Sequence, residues 1–227
     1  MDTNTIIDVL SIREYLYTTF RMAFIEPLNE KTTPLFLDEK TREGLSAFID
    51  QEQFSEAWSQ LAELESLSAE LKDELYHEFM KAFIGPNILL APPWESVYLS
   101  GNRSLFQEST LAVRREYSSF GLVFTDKGKE PDDHIALELE FMVYLCRLAR
   151  EGYESTDFKG AARAIDAQQG FLDRHLLQWV DLFREALEKQ ESTKWYGLIA
   201  RLLSLYLHAD ASCLMEISEL EPETLNP

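Results

Sequence analysis

The sequence predicts an all-α protein, a single-domain helical bundle of roughly ten helices spanning residues 1–227. Three observations carry that prediction. Leu is abundant while Val is scarce, the balance of a helix-forming chain. Apolar residues recur at i,i+3 and i,i+4 through most of the chain. The nine Gly and eight Pro fall mostly between these periodic runs rather than inside them. Strand-like alternation of useful length is missing, and neither an internal repeat nor a long linker divides the chain.

The elements follow in order. A first helix is expected to start after Thr3, Asn4 and Thr5 and to end before Pro27, carrying Val9, Ile12, Leu16 and Phe20 on one face. A polar stretch containing Pro34 precedes helices near 38–50 and 53–66. A strong helix from Ser68 to Ile84 carries Leu71, Leu75, Phe79 and Phe83 at i,i+4 spacing and stops at Gly85 and Pro86. Residues 85–104 break the pattern but stay apolar, with Pro92, Pro93, Trp94, Val97, Tyr98 and Leu99, so this loop either packs on the core or offers a binding surface. Helices near 108–120, 133–151, 156–169, 171–189 and 193–209 complete the reading, before an acidic tail.

Charge narrows the function. With 21 Lys and Arg against 40 Asp and Glu, the net charge is −19, which repels nucleic acid and anionic lipid surfaces and favours a basic partner. Hydrophobic content of 45% is enough to build a core despite that charge. Met1 to Asn4 carry no basic n-region, and no uncharged apolar stretch approaches the ~18 residues of a membrane span, so the expectation is a cytoplasmic protein without stable membrane insertion. Cys146 and Cys213 lie in helical patterns without metal-ligand spacing and read as buried thiols.

The sharpest local feature is Glu130-Pro131-Asp132-Asp133-His134, just ahead of an apolar helix. Asp132 or Asp133 is expected to cap that helix, with His134 on its first turn, four residues before Glu138 and able to pair with it. One His and one Glu at this spacing lack a third metal ligand, and His77, His175 and His208 stand in separate helices. No nucleophile elbow or phosphate loop is present. The enzyme alternative is a small helical hydrolase of phosphate esters or nucleotides using Asp133, His134 and Glu138 as acid, base and orienter.

Three ordered segments carry a family resemblance: Glu78 to Pro86 (EFMKAFIGP), Ala91 to Tyr98 (APPWESVY), and Glu130 to His134 (EPDDH). Further matching texture runs from Phe171 to Leu176 and at Trp179. Together they resemble the twin-arginine leader-binding chaperones of the TorD/DmsD/NarJ superfamily. The resemblance implies an all-helical chaperone, not an enzyme and with no cofactor of its own, acting as a monomer or homodimer. Its partner would be the twin-arginine leader, with the apo catalytic subunit of a molybdopterin oxidoreductase, held for cofactor insertion before export. In those terms Phe79, Phe83, Pro93, Trp94, Ser96, Tyr98, Asp132, Asp133 and His134 occupy the leader-binding region. The physical reading agrees: a leader that is basic at its start and apolar in its middle needs an acidic rim and an apolar groove. Residues 50–78 hold nine acidic side chains against Lys72 alone, and aromatics follow.

Overall fold

The computed structural model describes residues 2–67, 71–85, 88–100, 108–123 and 130–219. The Ser68 helix start, Pro86, Gly101, most of the polar connection before Pro131 and the acidic tail lie outside them. Among the described residues ten α-helices run in order: α1 (Thr3–Ile25), α2 (Glu39–Phe48), α3 (Gln51–Leu67), α4 (Leu71–Phe79), α5 (Glu95–Leu99), α6 (Glu108–Ser119), α7 (Ile135–Glu154), α8 (Phe158–Phe171), α9 (Leu177–Glu188) and α10 (Lys194–Ser218). Among the described residues the sole β-type pairing is one antiparallel bridge between Trp94 and His134.

The longest helices build the core. α1 and α7 run against each other along much of their length, α7 also packs on α8, and α9 pairs with α10. α1 starts at Thr3 rather than after Thr5 as expected, because the Asp2 carboxylate caps it by accepting the Thr5 N–H at 2.8 Å. Its buried row is Ile6, Leu10, Leu16, Tyr17, Phe20 and Phe24, while Val9 and Ile12 sit at its edge. Arg13 is on the buried row too, where its guanidinium meets Asp210 of α10 and Tyr17 donates to the same carboxylate at 2.6 Å. Both charges of that pair are fully buried, so it ties α1 to α10 and loses heavily if either partner is removed.

α10, with the short turn before it, is the one helix among the described residues long and apolar enough to cross a bilayer. Most of its apolar side chains face inward: Trp195, Tyr196, Ile199, Leu203, Tyr206 and Leu207 are all buried. A helix apolar nearly all round is what a core-threading element requires.

Two helices widen into π-turns, each next to a functional segment. α4 passes into one over Met80–Ile84, which closes at Gly85 with its N–H on the Met80 carbonyl at 2.8 Å. Gly85 has φ 86°, a backbone conformation that glycine adopts without a Cβ penalty. The second, Leu172–Leu176, joins α8 to α9. The expected single helices over 68–84 and 171–189 are therefore each interrupted, and the turns aim Phe83 and His175 inward.

The first turn of α10 has no capping side chain of its own, since Thr193 makes no such bond. Glu78 of α4 fills that role from across the interface, accepting the N–H groups of Trp195 at 3.0 Å and Tyr196 at 3.4 Å. Burial nonetheless raises its carboxyl from the ordinary range to about 7, with Glu74 adding to the rise and the two N–H groups opposing it. The folded state thus holds this proton more tightly than the unfolded chain, so its contribution to stability is full below about pH 4.5 and lost as pH rises through 7. Glu78→Gln keeps an acceptor without a charge. It is expected to raise stability at pH 8 by on the order of 1–3 kcal/mol and to flatten the fall in melting temperature between pH 6 and 8. Melting curves across that range check this, and an unchanged slope would show that Glu78 is not the titrating group.

Candidate functional site

The loop after α4 and the segment before α7 interlock. The Ile135 N–H donates to the Pro93 carbonyl at 2.9 Å and the Glu95 N–H to the Asp133 carbonyl at 3.0 Å. Side chains repeat the link: the Asp133 carboxylate accepts the Ser96 N–H at 2.8 Å, and the Trp94 indole N–H donates to Glu130 at 2.6 Å. The Trp94 and His134 rings meet edge to face, 6.0 Å apart. The separate motifs around Pro93 and Asp133 are thus one structural unit.

This geometry corrects the expected capping. Neither Asp132 nor Asp133 caps α7; His134 does, with extended backbone and Nδ1 accepting the Ala136 N–H at 3.1 Å, so the helix begins at Ile135. Asp133 is directed away from α7, toward the buried N–H groups at the start of α5. Asp132 bonds Arg114 of α6, its carboxylate 2.7 Å from Nε. His134 does not pair with Glu138, whose carboxyl instead accepts the Trp179 indole N–H at 3.2 Å.

Beneath the interlock lies a buried acidic layer. Glu95, Asp133 and Glu138 are all within 1% of complete burial, and His175 stands beside them with its Nδ1 3.0 Å from Glu95. Desolvation and the neighbouring Glu95 and Asp133 carboxylates hold the Glu138 carboxyl well above the usual carboxylate range. Burial has the opposite sign for His134 and lowers it to about 4. With Nδ1 occupied as an acceptor, the neutral His134 ring carries its proton on Nε2 and offers a ligand a donor.

The nine residues of the sequence reading fall into two groups. Phe79 and Phe83 are core: Phe83 contacts Phe79 at 5.0 Å, Tyr196 at 5.4 Å and Phe183 at 6.0 Å. Pro93, Ser96 and Asp133 are also inside, as parts of the interlock. Trp94 and Tyr98 are half-buried, Tyr98 stacking on Trp179 at 5.4 Å, while Asp132 and His134 keep a narrow edge at the surface. Sequence reasoning did not single out the site roles of Glu95, Arg114 or Glu130. Their partners are distant in the chain, 80 residues for Glu95 with His175, and no local spacing announces them. His175 and Trp179 did carry a signal, as part of the family texture.

Helices folded on one core, with the EPDDH segment latched to a proline loop, define a class. The family described as nitrate reductase delta subunit matches residues 50–185, and the chain belongs to that family, within the TorD/DmsD/NarJ chaperone superfamily. The chain is 26% identical over 208 residues to the chaperone protein TorD of Vibrio cholerae, covering 90% of this chain and 93% of that protein. It is 33% identical over 132 residues to a probable Tat proofreading chaperone DmsD of Haemophilus influenzae, 58% of each. It is also 33% identical over 144 residues to a selenate reductase assembly chaperone protein of Thauera selenatis, 60% of this chain and 69% of the relative.

The burial difference separates core from rim in a testable way. Phe83→Ala is expected to cost about 3–5 kcal/mol of stability, and Trp94→Ala less than half of that, because only part of its ring leaves water. Urea unfolding of the two variants measures both. Equal losses would show that Trp94 is as much a core residue as Phe83.

Proposed function

We propose that this chain is a cytoplasmic, system-specific chaperone that binds the twin-arginine leader of a molybdoenzyme catalytic subunit. It holds the apo subunit for cofactor insertion before export, with residues 1–227 acting as one helical domain. The observation that carries the reading is the interlock of the Pro93–Tyr98 loop with the Glu130–His134 segment, because it sets an indole, a histidine N–H donor and carboxylates side by side on a strongly acidic body. Membership of a chaperone family supports the same reading. In this reading Trp94, Tyr98 and His134 touch the peptide, while Phe79, Phe83, Pro93, Ser96, Asp132 and Asp133 hold them in position from behind.

The hydrolase alternative finds little support in the geometry. An acid, base and orienter must face one another, yet Asp133 serves Ser96, His134 spends Nδ1 on the backbone and Glu138 serves Trp179.

Calorimetric titration with a synthetic twin-arginine leader peptide tests the proposal. Saturable stoichiometric binding is expected, with affinity falling several-fold from low to physiological salt as the Debye length shrinks to about 8 Å. Failure to bind the leader would overturn the reading, and an affinity indifferent to salt would remove the acidic rim from it.

A further inference from the structure

Glu130, Asp132 and Asp133 sit within four residues of one another, yet the structure gives each carboxylate a different duty. Asp133 is inside, bonded to the Ser96 N–H, and cannot meet a ligand without opening the interlock. Asp132 is nearly buried and already carries a cation, since Nε and Nη2 of Arg114 both reach its Oδ2. Glu130 is exposed. Its Oε1 takes the Trp94 indole N–H at 2.6 Å, and among the described residues no cation pairs with it and nothing bonds its Oε2.

That arrangement has the parts of a guanidinium receptor. The indole N–H orients the carboxylate while leaving one oxygen free, and a charged fork donor binds a carboxylate more strongly than a neutral donor does. The Trp94 ring, half-buried and braced edge-on by His134, stands beside it as a flat wall over which a guanidinium stacks favourably. The nearest histidine adds no opposing charge, because burial keeps His134 neutral down to about pH 4.

We propose that Glu130 is the residue that accepts a leader arginine, through its unengaged carboxylate oxygen and against the Trp94 ring, and that Asp132 and Asp133 do not. This deepens the leader-binding reading and rests on it. Glu130 is a binding and specificity residue in this account, and Trp94 positions it.

The experiment compares two peptides, a twin-arginine leader and the same leader with both arginines replaced by alanine, on the full chain and on two variants. The parent protein is expected to prefer the arginine form. Glu130→Gln, which still accepts the indole N–H, should lower affinity for the arginine peptide by about three- to tenfold and leave the alanine peptide unchanged. Asp132→Asn should leave the ratio of the two affinities as it is in the parent. Loss of the preference in Asp132→Asn but not in Glu130→Gln would overturn the assignment, as would equal weakening of both peptides by Glu130→Gln. A parent that binds both peptides equally would remove arginine recognition while keeping the chaperone reading. A parent that binds neither would overturn both.

Discussion

The candidate site depends on the short antiparallel clamp between residues 93–96 and 133–135. It joins a loop too apolar to float in water to the start of one of the longest core helices, using main-chain bonds that do not depend on side-chain identity. Because Asp133 uses its carbonyl and its carboxylate on the same loop, α7 begins only at Ile135, with His134 as its cap. The helix start, the loop position and the rim of the site are thus consequences of one pairing. A polar contact of this kind specifies geometry well when each group it buries finds a partner.

The clamp also concentrates negative charge where it is costly. Glu95, Asp133 and Glu138 lie together out of water, where His175 stands against Glu95 and the crowding pushes the Glu138 carboxyl well above its ordinary range. His175 comes from the π-turn between α8 and α9, so the second half of the bundle is tied to the site through the same layer. The acidic surface faces a different balance. There the carboxylates remain solvated, and a field of this sign draws in a basic peptide while contributing little to fold stability.

The aromatic stripe of α4 shows how core and site divide the work. Phe79 and Phe83 are packed against Tyr196 and Phe183 and cannot be approached, yet the π-turn that follows Phe79 and carries Phe83 precedes the Pro93 loop. Tyr98 stacked on Trp179 forms the joint between that core and the half-exposed rim. Residues that hold a surface in place carry the same sequence signature as residues that touch a ligand, and burial alone tells them apart.

The sequence by itself determined the helical class, the positions of most helices and the segments around Phe83, Trp94 and His134 that belong together. Those properties follow from periodicity, punctuation and short motifs, all of which are local along the chain. What only the tertiary structure decided is the partner of each polar group. Asp133 caps α5 rather than α7, Asp132 meets Arg114, Glu138 serves Trp179 and Glu78 caps α10, while Glu130 is left at the surface with an indole. The physical reason is the same in each case. A buried carboxylate takes whatever donor the folded chain brings within about 3 Å, and that donor is set by the packing of helices far apart in sequence rather than by any neighbour along it.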